Sequence, residues 1–186
     1  MKDDVRGLLR NIIALLTILV ALQGVLLWRT FVLERKVSAA VPGSPRSLSE
    51  LGLPVGRRAP DFEAESPQGE RVSLAQMAGR PVLLVFASET CPYCRAMFPE
   101  LKAFHEAHPQ LPVVMFLKGE PPEVLKGTDM VIVPWNEEVV RAYRVVGVPW
   151  FYLINAEGVV QVSQPLRTLE EMNQVLSPLL VSQTQK

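Results

Sequence analysis

The sequence predicts an α/β fold: a central mixed sheet flanked by helices, an extra N-terminal hairpin, and one transmembrane helix ahead of the domain. Three observations predict it. The continuous apolar runs Val82–Ala87 and Val113–Leu117 have the length and the lack of alternation of strands buried on both faces. Segments of helical spacing alternate with these runs, and a second hairpin and a helix close the chain. In front of everything lies the uncharged stretch Ile12–Trp28.

Composition narrows the function. Of 186 residues, 48% are hydrophobic and 20% charged, which supports a packed core rather than disorder. The formal net charge is zero, so nothing in the charge balance attracts nucleic acid, and none is expected as a partner. The only two cysteines, Cys91 and Cys94, are three positions apart. A disulfide framework needs more bridges in a shorter chain, so the pair points to chemistry or to metal binding.

Residues 1–36 read as a membrane anchor. With Leu8 and Leu9 added and Arg10 reaching to the headgroups, the span over 8–30 approaches the roughly 20 residues of a bilayer crossing. Trp28 then stands at an interface. A cleaved signal peptide is the alternative; Ser38-Ala39-Ala40 offers small residues, but Arg29, Glu34, Arg35 and Lys36 separate it from the apolar run. Lys2, Arg6 and Arg10 before the span balance Arg29, Arg35 and Lys36 after it, so charge does not orient it. The short head and large C-terminal domain fit an N-in anchor. Residues 37–54, with Pro42, Gly43, Ser44, Pro45 and Pro54, read as a linker. The domain is expected over 55–182, with a tail at 183–186.

Within the domain, Asp61–Glu65 and Arg71–Leu74 flank the turn signal Pro67-Gln68-Gly69 and predict the hairpin. Ser73 caps a short helix ended by Gly79. After the first buried strand, Cys91 opens a helix from Pro92 to His108, with Met97, Leu101 and Phe104 at helical spacing and Pro99 inside it. The second buried strand follows, then a short strand at Met130–Val133 and a helix at Glu137–Tyr143. Trp150–Ile154 and Val159–Val162 flank Asn155-Ala156-Glu157-Gly158 as a second hairpin. Thr168 caps the closing helix Leu169–Leu180.

Cysteines at i and i+3 on a helix start can close a small disulfide ring. The first thiol there meets unpaired N–H groups and the positive end of the helix dipole, which favour the thiolate, the attacking species. Pro92 occupies a position where a missing N–H costs nothing. Cys91 is therefore the expected nucleophile, and Cys94, one turn in, the resolving thiol.

Other readings stand beside this one. A zinc site from Cys91, Cys94, His105 and His108 has a finger-like spacing, but His105 lies about 21 Å along a continuous helix from Cys91. A Cys–His hydrolase meets the same distance. Covalent haem needs His after the second cysteine, where the chain has Arg95. Two core cysteines are the bland alternative, with His105 and His108 as surface residues at a helix end. No metal and no cofactor are expected.

With these residues in view, the chain resembles the thioredoxin superfamily over roughly Val55–Val181. The resemblance rests on Val82–Thr90 leading into Cys91-Pro92-Tyr93-Cys94, on Pro99, and on Gly147-Val148-Pro149 before the strand Trp150–Ile154, which is similar to the cis-proline loop. It implies that Val148 and Pro149 join the site and that, with Pro92 and Tyr93, they bind the substrate peptide. The opening Gly56-Arg57-Arg58-Ala59-Pro60-Asp61-Phe62 and its hairpin resemble the membrane-anchored redoxins of the TlpA/ResA type and the methylamine-utilisation (MauD-like) proteins; Arg167-Thr168-Leu169-Glu170-Glu171 leans to the second group. The resemblance implies a thiol–disulfide oxidoreductase on the periplasmic side of a bacterial inner membrane. Its implied partners are protein thiols and disulfides, in the maturation of c-type cytochromes or amine dehydrogenase, and a membrane redox partner.

The chain departs from the pattern at three places. Thr90 stands where thioredoxins carry Trp, Val85 where they bury Asp, and Met97 where the cytochrome-maturation reductases carry an acid. Glu89 is the candidate for proton transfer, against a plainer reading as a solvated carboxylate. With no buried carboxylate to deprotonate Cys94, the reading leans to an oxidant or isomerase. A peroxiredoxin-like thiol peroxidase is the enzyme alternative: Ser88-Glu89-Thr90-Cys91 partly fits a Ser/Thr-x-x-Cys motif, but Leu84 occupies its upstream proline position. The non-enzymatic alternative is a binding module holding a partner on Val148, Pro149 and exposed Trp150 and Tyr93.

Overall fold

Alternation along one strand sets the architecture. In the computed structural model, which describes residues 22–24 and 51–184, all seven residues of the strand Val82–Ser88 (β3) are buried. Leu83, Val85 and Ala87 enter one apolar cluster, while Val82, Leu84 and Phe86 enter another. A strand with two such faces needs cover on both sides.

The hairpin strands are Glu63–Glu65 (β1) and Arg71–Ser73 (β2). Between it and β3, the expected short helix is a single 3₁₀ turn, Ala75–Met77, in which Ser73 and Gln76 exchange side-chain-to-backbone hydrogen bonds. The helix Pro92–Ala107 (α1) follows β3 and leads to Val113–Lys118 (β4). Then come a 3₁₀ turn at Glu123–Leu125, the strand Val131–Pro134 (β5) and the helix Glu137–Ala142 (α2), capped by Asn136. Trp150–Ile154 (β6), Val160–Gln164 (β7) and the helix Leu169–Thr184 (α3) complete the chain. Thr168 accepts the Glu171 N–H at 3.2 Å, as a cap does.

The five-stranded sheet runs β5-β4-β3-β6-β7. β4 lies parallel to β3 and to β5, whereas β6 is antiparallel to β3 and to β7. The mixed sheet is thus the expected one, with β3 at its centre. Met97, Leu101 and Phe104 of α1 and Met172 and Leu176 of α3 fill one face. Phe62, Val72, Val139 and Tyr143 fill the other.

Two boundaries move. Leu51–Pro54, expected as the end of the linker, belongs to the folded body: Leu53 is 7% exposed, its N–H donates to the Tyr152 hydroxyl at 3.2 Å, and the Leu51 carbonyl accepts from Ser163 Oγ. α3 runs on to Thr184, past the expected end of the domain at 182. The expected span at 8–30 lies almost wholly outside the described residues, of which 22–24 are helical; among the described residues no helix is long and apolar enough to cross a membrane.

Candidate active site

The site forms where the central strand ends. β3 stops at Ser88, Glu89 and Thr90 turn the chain, and Cys91 takes an extended conformation as the residue before α1. Its carbonyl accepts the first helical bond, from the Arg95 N–H at 3.1 Å. Pro92 is the first helical residue, where its missing N–H goes unneeded. The cysteine side chain makes no cap, so its sulfur is left facing the bare N–H groups of the first turn.

Both thiols are free, and their surroundings differ sharply. Cys91 is partly exposed; its thiol donates to the Val148 carbonyl oxygen at 3.6 Å. Burial acts upward on its pKa and is the largest single influence. The Cys94 N–H and thiol, the Tyr93 N–H and the Arg95 charge together outweigh it, holding Cys91 below the ordinary thiol range. Cys94 is fully buried in the cluster with Met97, Phe98 and Leu101. Burial, reinforced by the neighbouring Cys91 sulfur, pushes it up to about 12. Of the groups acting on Cys94, none is a carboxylate. Val85 and Met97, at the positions where an acid was sought, are both wholly buried.

The Val148–Pro149 peptide is cis, and the Cys91–Val148 contact brings that loop against the cysteine pair. Cys91, Pro92, Tyr93, Cys94, Val148 and Pro149 therefore share one place in the fold. Tyr93 is 59% exposed beside the partly buried Cys91.

Several expected roles do not fit what is seen. The Glu89 carboxylate accepts the Glu120 N–H at 2.9 Å and packs on Gly119; it makes no hydrogen bond to either thiol among the described residues. His105 is not a surface residue: it is 5% exposed and its Nε2 pairs with the Asp129 carboxylate. It sits in the last turn of an unbroken helix, about 21 Å along it from Cys91 and about 16 Å from Cys94, so the four zinc candidates are not brought together. His108 lies against Phe104, ring centroids 4.5 Å apart. Trp150 is 3% exposed and unavailable as a docking aromatic, because β6 is buried on both faces. The Ser88 and Thr90 hydroxyls bond to each other at 3.1 Å.

One residue at the site carried no sequence signal as a neighbour of the cysteines. The Arg167 guanidinium lies over the Tyr93 ring, 4.7 Å from its centroid. Only the tertiary packing of α3 beside α1 unites them, since the two are far apart in the chain.

Comparison with known proteins agrees with this geometry. Residues 55–127 match the model of the AhpC/TSA family. The chain is 29% identical over 134 residues to the methylamine utilization protein MauD of Paracoccus versutus, covering 69% of this chain and 68% of that one. It is 28% identical over 152 residues to the thiol-disulfide oxidoreductase ResA of Bacillus subtilis, covering 74% of this chain and 79% of that one. In fold it is similar to the structure of a putative thiol:disulfide interchange protein DsbE from Chlorobium tepidum, with a TM-score of 0.59, 23% identity, and coverage of 69% of this chain and 99% of that one. A strand–Cys-x-x-Cys–helix site facing a cis-proline loop, on a thioredoxin-like fold and in a sequence similar to these relatives, makes the chain a thiol–disulfide oxidoreductase, similar over residues 55–127 to the AhpC/TSA family.

Proposed function

We propose that this oxidoreductase is held at a bacterial inner membrane by residues 8–30 and exchanges disulfides with maturing proteins on the periplasmic side, through Cys91 and Cys94. The observation that carries the reading is the asymmetry of the two thiols. Cys91 is accessible and favoured as thiolate; Cys94 is buried and held as thiol. In the reducing direction the Cys91 thiolate attacks one sulfur of a substrate disulfide, forming a mixed disulfide and releasing the other substrate sulfur as thiolate. Cys94 then loses its proton and attacks Cys91 Sγ. The Cys91–Cys94 disulfide forms, the second substrate thiol leaves, and two electrons have passed to the substrate. Oxidation of a substrate dithiol is the reverse.

Direction follows from which form of the pair is stabilised. A thiolate favoured at Cys91 stabilises the reduced pair, and no carboxylate acts on Cys94 to take its proton. Both features support an oxidant or isomerase rather than a strong reductant. The anchor rests on the uncharged run Ile12–Trp28. The likeness to MauD supports a substrate undergoing maturation in amine utilisation, and the likeness to ResA supports protein disulfides as the substrate class.

The test is a redox titration of the detergent-solubilised full chain in graded glutathione buffers, with free thiols trapped by alkylation and the mass read. A reversible two-thiol transition at about −120 to −200 mV is the expected result. One near about −270 mV overturns the direction, and none at all overturns the exchange chemistry. Replacing Cys91 with Ser is expected to abolish the transition, and the wild-type chain is expected not to consume peroxide.

A further inference from the structure

The geometry points to Arg167 and Arg95 as a cationic clamp beside Cys91 that selects substrate cysteines flanked by acidic residues. This deepens the exchange reading above and rests on it.

The first support is position. Arg167 lies over Tyr93, and Tyr93 is the exposed residue between the two cysteines, so the guanidinium stands at the edge of the surface a substrate must cross. Arg95 follows Cys94 directly, is exposed, and its backbone N–H donates to the Cys91 carbonyl at 3.1 Å. A peptide whose cysteine reaches Cys91 therefore meets two guanidinium-bearing residues, one stacked on Tyr93 and one directly after Cys94.

The second support is that Arg167 is built in. Its N–H donates to the Glu171 carboxylate at 2.7 Å, and Thr168 caps α3. The next N–H, of Leu169, donates to Glu100 on α1 at 3.0 Å, tying the start of α3 to the redox helix. Leu166 on the other side is buried. The backbone at 166–169 is thus pinned from α1, from α3 and from the core, and the side chain leaves a fixed point. Stacking on the tyrosine face restricts the side chain further and leaves much of the guanidinium's hydrogen-bonding rim for a carboxylate.

The third support is that neither guanidinium is already engaged by a carboxylate of the described residues. Among the described residues, neither Arg95 nor Arg167 forms an ion pair. The carboxylates of Glu89, Glu100 and Glu171 accept backbone N–H groups, of Glu120, Leu169 and Arg167, and none of them holds either guanidinium. Arginine next to an exposed aromatic is a combination that favours bidentate carboxylate recognition, and charge complementarity acts mainly on the rate of encounter.

The experiment uses the full-length protein and two peptides with the same intramolecular disulfide, one flanked by Asp and Glu and one by Lys. Exchange rates are measured for wild type, Arg167→Ala and Arg167→Glu, and each variant is scored by its acidic-to-basic rate ratio. Wild type is expected to favour the acidic peptide by about tenfold at low salt, where the screening length is about 30 Å, and to lose the preference near about 1 M salt, where it is about 3 Å. Arg167→Ala is expected to lower the ratio by about threefold and Arg167→Glu to bring it to unity or below. A wild-type ratio near one, or a ratio that survives Arg167→Glu, overturns the clamp. Dithiothreitol, which is small and uncharged, separates the two levels of the argument. If wild type exchanges with dithiothreitol but shows no acidic preference, only the clamp fails. If it exchanges with neither, the exchange reading fails and takes the clamp with it.

Discussion

The two faces of the sheet are built by different rules. The face under α1 and α3 is filled mainly by Leu, Val, Met and Phe side chains, with the Cys94 thiol buried among them. The face under the hairpin and α2 is aromatic and wired. Phe86 stacks on Phe116 at 5.1 Å, Phe62 meets Phe116 edge-on, and Tyr152 meets Tyr143 at 5.3 Å. Through this cluster runs a chain of directed bonds: Leu53 N–H to Tyr152 hydroxyl, Tyr152 hydroxyl to the Tyr143 carbonyl at 2.6 Å, and Tyr143 hydroxyl to the Pro60 carbonyl at 2.6 Å. The redox face is specified by volume and the aromatic face by geometry. A thiol that must stay protonated until it resolves a mixed disulfide gains from featureless apolar surroundings. An N-terminal segment that must be held against the sheet gains from bonds at fixed angles.

Four measurements press on this contrast. Phe86→Ala removes the ring at the centre of the aromatic cluster and is expected to cost about 3–5 kcal/mol in denaturant unfolding. Tyr152→Phe removes one oxygen and no volume, yet leaves the Leu53 N–H and the Tyr143 carbonyl without it; about 1–3 kcal/mol is expected, and a loss near zero would break the claim that this face is wired. Met97→Leu on the redox face conserves volume and carries no directed bond, so less than about 1.5 kcal/mol is expected; a larger loss would show that this face too demands a specific shape. The fourth measurement is in alkali. Burial raises the pKa of both Tyr143 and Tyr152 in the folded state. Their contribution is fully present below the unfolded tyrosine value of about 10 and is lost as pH rises from there through the folded values. The melting temperature should fall above about pH 10, and the fall should shrink in Tyr152→Phe.

The same contrast explains what the sequence made legible. β3 and β4 were readable because strands buried on both faces write themselves as unbroken apolar runs. Cys91 and Cys94 were readable because i, i+3 spacing at a strand-to-helix junction is a local signal. The hydroxyl wiring was not, since Tyr152 and Leu53 are joined only by tertiary structure. That hidden bond is why Leu51–Pro54 looked like linker: a four-residue Pro- and Gly-containing segment is too short to show a period. His105 reads as a helix-end histidine until Asp129, brought in by the loop before β5, pairs with it as it sinks into the core. Arg167 was similarly hidden, because it lies just ahead of α3 while its partner Tyr93 belongs to α1, far earlier in the chain.

The bond between Glu89 and the Glu120 N–H has a consequence for anyone who would re-engineer the enzyme. A side chain at Gly119 would place its first carbon 2.4 Å from the Glu89 carboxylate oxygen, and Gly119 sits at a φ of +113° that other residues rarely adopt. The turn that delivers the cysteines and the turn that ends β4 are therefore interlocked parts. A redox loop transplanted from a relative has to bring its own partner for position 119, and across natural variants positions 89 and 119 should change together or not at all.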